Sequence, residues 1–401
     1  MRRTRLYTRP GPAGWWLPTA WAVAGILLLV ACGSDSNTEP LKPTRTARPT
    51  FTAVPPTALC LASATAVPSA TPIPTSTATA TPVLTPTPTV NPYLNPLTGQ
   101  LVADPTVLQR RPLLVRIGND AEVRPQSGLS QADIVLEEAT EGWYITRFTA
   151  IIWSKDPEAL RPIRSARLLT IELGHMLDGA LVHSGGNDQV RWLISQSKLT
   201  DLDEYFHPQP YYQIEPEGKW KNYPWMGTPG TSAKRLRDYL LKTGQEKTVH
   251  LAGFTFSHQG DPAPQGEPAT YVRVPYPSRA LVEFRYDAER HLYRRWVQGE
   301  PHVDALNGEQ LAAANVIVQY SQYEQTDVKD SNGQYSYNIH STGEGRAQIF
   351  RDGVLIEARW VRPTVTDFVR YLYPDGSPVP LLPGQSWIEV VPVEYKVTFE
   401  H

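Results

Sequence analysis

"SARLLTIELGHMLDGALVHSGGNDQVRWLISQS" (residues 165–197) decides how the folded part of this 401-residue chain is read. Leu168, Leu169, Ile171, Leu173, Met176 and Leu177 recur at helical spacing and stop before Gly179, a residue type that closes helices because it tolerates a positive φ. "ALVH" follows as a short buried strand running into a Gly-Gly turn. "NDQVRWLISQS" opens a second helix, with Asn187 or Asp188 as the cap for its first N–H groups. Helix, strand and helix in that order require a sheet for the helices to cover, as in an α/β unit.

Upstream, "RPLLVRIGND" (111–120), Ile134 to Glu137 and "YITRFTAIIW" (144–153) supply further strands. Downstream, "TSAKRLRDYLLKTG" (231–244) is a helix with Thr231 or Ser232 as cap and Gly244 as stop. Beyond it the period changes to two. "LVEFRYD", "HLYRRWV", "NVIVQYSQY", "RAQIFRDG", "VLIEARWV", "FVRYLYPDG" and "SWIEVVPVEYKVTF" read as strands, joined by Asp-Gly, Asn-Gly and Pro-Gly turns. The expected fold class is therefore α+β. An α/β domain over residues 93–244 precedes a mostly antiparallel β domain over 245–401.

The N-terminus is built differently. Arg2, Arg3, Arg5 and Arg9 precede an apolar run from Trp15 to Ala31, which ends at Cys32 in "GILLLVACGSDS" (25–36). A basic head and a short apolar body make a secretory signal, here residues 1–31, with an uncleaved anchor as the alternative because the run is just long enough to span. Leu29-Val30-Ala31-Cys32 resembles the bacterial lipoprotein signal motif, which implies lipidation of Cys32 as the new N-terminus. Residues 32–92 are dominated by Thr, Pro, Ala and Val with few charges. Such a stretch buries too little apolar surface to offset its ordering entropy and is expected to be a disordered tether. The expected location is the outer face of the cytoplasmic membrane, held by lipid.

A formal net charge of −2 provides no basic field for nucleic acid. The two cysteines are Cys32 and Cys60, both upstream of residue 93. A disulfide framework, a thiolate metal site and a catalytic thiol are thus excluded from the folded part. His302-Val303-Asp304 has a metal-like spacing without further ligands nearby in sequence, and is read as a turn. No cofactor and no metal are expected.

Several blocks together resemble one family. "NPLTG", "RPQSGLSQADIVLEE", "EGWYITRFTAII" and "RPIRSAR" are similar to the N-terminal half of the YerB-like lipoproteins, which carry a two-part domain of unknown function. "YDAERHLYRRWVQGEPHVDALNGEQLAAANVIVQY" and "PDGSPVPLLPGQSWIEVVP" resemble the C-terminal half. The resemblance implies a two-domain, anchored, extracytoplasmic protein and no particular reaction. Where that family tends to read Pro-His-Asn-x-Tyr-Thr, this chain has "NYPWMGTPGTS".

Three clusters are candidates for chemistry. Arg161, Arg164 and Arg167 present guanidinium forks suited to carboxylate or phosphate. Glu137, Glu138, Glu141 and Arg147 lie just upstream. Internal ion pairing, ligand binding and acid–base chemistry all remain open for this group. Arg164, Arg167 and Glu137 are expected to converge at the mouth of the α/β domain. His183-Ser184-Gly185-Gly186 ends a strand and opens a helix, where backbone N–H groups can hold an anion or merely form a turn. Tyr211, Tyr212, Trp220, Tyr223 and Trp225 crowd one loop and serve either sugar stacking or packing. The expected function is a non-catalytic binding module for a cell-envelope polymer or partner protein. The alternative is an envelope hydrolase using Glu137 or Glu141, with the arginines holding an anionic substrate.

Overall fold

A computed structural model describes residues 91–401 apart from 216–220, 223–227 and 331. The signal segment, Cys32, Cys60 and nearly all of the tether lie outside the described residues, as do Trp220, Tyr223 and Trp225. Among the described residues, no helix is long and apolar enough to cross a membrane.

The strands begin with β1 (Leu113–Gly118), β2 (Ile134–Ala139) and β3 (Thr146–Ile152), antiparallel neighbours in the order β2-β3-β1. Helix α1 (Leu168–Leu177) leads to β4 (Ala180–His183), and α2 (Asp188–Gln196) leads to β5 (Thr200–Asp203). Here the pairing turns parallel, β1 to β4 to β5. Asn187 caps α2, accepting from the Val190 N–H at 2.8 Å. Ser232 caps α3 (Ala233–Lys242), accepting from the Arg235 N–H at 3.3 Å.

Beyond residue 244 the predicted alternation becomes β6 (Tyr271–Val274), β7 (Val282–Asp287), β8 (Leu292–Val297), β9 (Asn315–Ser321) and a hairpin of β10 (Tyr323–Lys329) and β11 (Tyr335–Ile339). Then come β12 (Gly343–Arg351), β13 (Val354–Arg362), β14 (Arg370–Leu372), β15 (Ser386–Pro392) and β16 (Thr398–Glu400). Most pairings are antiparallel, as expected. The exception is β15, parallel to both of its neighbours, β9 and β2.

That exception joins the two halves. The main sheet runs β14-β13-β12-β9-β15-β2-β3-β1-β4-β5, without a break at residue 244. Every residue of β15 is buried, so "SWIEVVP" is a central strand. One face of this sheet packs Leu114, Ile134, Leu136 and Ile151 against Leu169 and Leu173 of α1 and Val190 and Ile194 of α2. The other packs Val115, Val135 and Phe148 against Leu236 and Leu240 of α3 and against Val272, Val282, Phe284 and Tyr293. Those last four residues come from a smaller sheet ordered β8-β7-β6-β16. Each such side chain, fully buried, contributes about 1.5–3 kcal/mol.

Candidate functional site

"RPIRSAR" runs extended, held by strand-like bonds on both sides. Ile163 bridges Ile117, the Arg164 N–H donates to the Arg116 carbonyl at 2.9 Å, and the Ser184 N–H donates to the Arg164 carbonyl at 3.0 Å. The segment is thereby wedged between the carboxyl ends of β1 and β4, where α/β sheets place ligands. Arg161 turns aside and donates from Nε to the Ser127 hydroxyl at 3.0 Å. Arg164 and Arg167 line a cleft of about 930 Å³, together with Arg147, Asp120, Glu141 and the start of α2 at Gly186-Asn187-Asp188.

The opposite wall comes from the tip of the β10–β11 hairpin, with Lys329, Asp330, Asn332 and Gln334. Two hydrogen bonds secure it. The Ser336 hydroxyl donates to Glu141 Oε1 at 2.9 Å, and Asn187 Nδ2 donates to Ser336 Oγ at 3.3 Å. Gly142 sits at φ +71°, and a Cβ there would come within 2.7 Å of the Tyr144 ring and 3.1 Å of Gln334. The turn that presents Glu141 therefore calls for glycine.

Charges meet on the cleft floor. Arg147 Nη1 lies 3.2 Å and Arg164 Nε 3.9 Å from Asp120 Oδ2; Arg167 Nε is 2.7 Å from Glu141 Oε2. Burial raises the Asp120 carboxyl, but Arg147 and Arg164 outweigh it and hold the group below its usual range. Burial likewise raises Glu141, and Arg167, with hydrogen bonds including that from Ser336, brings it below normal. Both carboxylates thus stay ionised. Arg147, only 3% exposed, is lowered to about 9, first by burial and then by repulsion from Arg164, Arg167 and Arg116, against the pull of Asp120. Burial also lowers Arg164, with Arg167 adding repulsion. Cations crowd this floor.

The expected convergence with Glu137 does not occur. Successive strand residues face opposite sides, so Glu137 and Arg147 lie on opposite faces of the main sheet. Glu137 is completely buried in an ion pair with Arg295, Nη2 to Oε2 at 2.5 Å. Asn119 Nδ2 donates to its other oxygen at 3.1 Å, as does the Thr146 hydroxyl. Glu138 faces the helices and pairs with Arg116 at 2.5 Å, also buried. Glu141 reaches the cleft because it lies beyond the strand, in the turn.

His183 and Ser184 are not in the cleft lining either. His183 is buried, with Nδ1 2.8 Å from the Gly185 carbonyl and Nε2 2.8 Å from Asp201 Oδ1. The Ser184 hydroxyl donates to Glu204 at 3.2 Å. The Gly185 N–H, one of the candidate anion donors, already donates to Asp203 Oδ1 at 2.9 Å. Of that motif, Gly186 lines the cleft. Tyr211, from the aromatic loop, is a packing residue whose hydroxyl donates to the Leu202 carbonyl.

The His302-Val303-Asp304 stretch is more than a turn. His302 is buried between Arg295 and Gln126, its Nε2 2.7 Å from Gln126 Oε1. Asp304 accepts from the N–H groups of Gly128 and Ser130 at 2.9 and 2.8 Å. No group of three or more His, Cys, Asp and Glu with metal-binding geometry occurs among the described residues.

Sequence reasoning missed Asp120 and the hairpin tip as cleft residues. Asn332-Gly333 signalled a turn, but nothing local places residue 330 opposite residue 164.

Two family models cover this architecture. Residues 97–227 match the N-terminal domain, and residues 272–388 the C-terminal domain, of the protein of unknown function DUF3048. "Putative lipoprotein YerB" of Bacillus subtilis (strain 168) is 30% identical over 310 residues, spanning 74% of this chain and 86% of that protein. The chain belongs to the DUF3048 family. The crystal structure of the YerB protein from Bacillus subtilis has the same fold, with a TM-score of 0.64 at 27% identity over 76% of this chain and 99% of that one. Family membership agrees with the resemblance read from the sequence blocks, and the relative's name links the family to lipoproteins.

Proposed function

We propose that this DUF3048 protein is a lipid-anchored, extracytoplasmic binding module whose cleft takes an anionic segment of a cell-envelope polymer. The observation that carries this is the floor of the cleft. Arg147, Arg164 and Arg167 stand together with the buried Arg116 behind them, and Arg147 is repelled by all three. Glu138 pairs with Arg116, and Asp120 and Glu141 offset two of the three floor arginines. Asp188 and Asp330 stand with Lys329 elsewhere in the lining, so an incoming carboxylate or phosphate offsets the arginine charge left on the floor. The starts of α1 and α2 at Arg167 and Asn187 add the positive ends of two helix dipoles.

A glycosidase-type carboxyl pair requires one member that holds a proton near neutral pH. Asp120 and Glu141 are both held below the usual range, and Glu137 is shut away on the other face. Binding without turnover suits this chemistry better.

Replacing Arg164 with Ala is the direct test, because Asp120 keeps Arg147 as its partner. The full-length protein in detergent should bind polyglycerol phosphate at moderate ionic strength, and Arg164→Ala should weaken this at least tenfold with little change in melting temperature. A variant that melts normally and binds the polymer as the parent does would remove the cleft from function.

Anchoring is proposed through Cys32. The wild-type protein should take up labelled fatty acid and sediment with membranes. Cys32→Ser should lose essentially all of the label, and persistent labelling would place the lipid elsewhere.

A further inference from the structure

The turn after β5 holds a second feature, outside the cleft lining. Tyr205 and Phe206 are 72% and 61% exposed. Their rings stand edge to face, centroids 5.1 Å apart. Arg191 of α2 lies against both, its guanidinium carbon 5.0 Å from the Tyr205 centroid and 4.7 Å from that of Phe206. Arg191 is itself fixed, with Nε 2.9 Å from the buried carboxylate of Asp203. Asp203 also accepts from the Tyr205 N–H at 3.2 Å. The rings are therefore held from below and open above.

Their rim is polar. Glu204, between Asp203 and Tyr205 in sequence, accepts from the Ser184 hydroxyl at 3.2 Å and from the Gln213 amide at 3.0 Å. Two exposed rings at right angles, held by Arg191, offer a face and an edge to the apolar C–H side of a sugar ring, whose hydroxyls stay in water. Two rings are far short of the roughly 800 Å² that each partner contributes to a stable protein interface. The platform also adjoins the cleft: a Cβ on Gly186, which lines the cleft, would sit 3.5 Å from Arg191 Cγ.

We propose that Tyr205 and Phe206, braced by Arg191, form a stacking platform for a pyranose ring of a neutral saccharide. The platform is tested apart from the arginine floor's charge, since a neutral sugar carries no charge for it to attract. Next to the cleft, it would let one polymer engage through its sugar and its anion at once.

The experiment is calorimetric titration of the full-length protein in detergent with chitotetraose and with cellotetraose, both uncharged. Saturable binding of at least one is expected. Tyr205→Ala/Phe206→Ala should weaken it at least tenfold without shifting the melting temperature, because both rings are mostly in solvent. Tyr93→Ala, an exposed aromatic elsewhere in sequence, should bind as the parent does. Absence of saturable binding to either sugar, or equal binding by the double variant, overturns the proposal. So does a double variant that loses a protein partner while the parent ignores both sugars. Because the probes are neutral, none of these results depends on whether the cleft binds anions.

Discussion

Arg295→Met is expected to destabilise the protein by about 3–5 kcal/mol at neutral pH, the usual cost of breaking a buried ion pair from one side. Arg295 and Glu137 are both completely inaccessible, and they meet at 2.5 Å. The guanidinium also lies 4.7 Å from the Trp387 ring and 5.3 Å from Phe148, so its charge faces aromatic surfaces rather than water. Methionine preserves most of the aliphatic stem, which makes lost charge the dominant change. Glu137 would then sit beside Glu389, its partner in the β2–β15 register, without the cation that lies between the halves. Urea denaturation at pH 8 measures the loss. A loss under about 1 kcal/mol at pH 8, the value for exposed pairs, would mean that water reaches the pair.

Glu389→Gln should behave in the opposite way. Glu389 is fully buried, and burial followed by repulsion from Glu137 raises its carboxyl well above the ordinary range, against the attraction of Arg295. A raised carboxyl keeps its proton in the folded state after the unfolded chain has lost it. Folding then binds more protons than unfolding does, so stability falls as pH rises above the ordinary glutamate value of 4.5 and continues to fall until the folded group ionises. Glutamine has nearly the same shape and no charge to lose, which removes this slope. Near pH 4 the variant and parent should be close in stability; toward pH 8 the variant should be the more stable. Chemical denaturation across that range decides it. A variant less stable than the parent at pH 8 would show that Glu389 is an ionised partner of Arg295.

These two outcomes also separate Glu137 from the function it seemed to have. In sequence, Glu137, Glu138 and Glu141 look like one acidic cluster facing "RPIRSAR". In space they divide three ways, to Arg295, to Arg116 and to Arg167. The division follows from the period of the strand, which was legible. What could not be read was which face of β2 meets which layer, because that depends on the smaller sheet more than a hundred residues later.

Local elements were legible in the sequence: α1, α2 and α3, with the cap of α2 narrowed to Asn187 or Asp188 and that of α3 to Thr231 or Ser232, and the alternating strands of the C-terminal half. Arg164 and Arg167, which the sequence grouped with Glu137, line the cleft without it. Periodicity, capping and turn chemistry act over a few residues and are written in a few residues. Tertiary structure alone decided the rest. Strand β15 inserts between β2 and β9 and makes one sheet of two predicted halves. The hairpin residues Asp330, Asn332 and Gln334 close a cleft begun at Asp120, and Tyr205 and Phe206 remain outside. Such pairings are selected by burial and by the matching of whole faces across hundreds of residues, and no short stretch of chain records them.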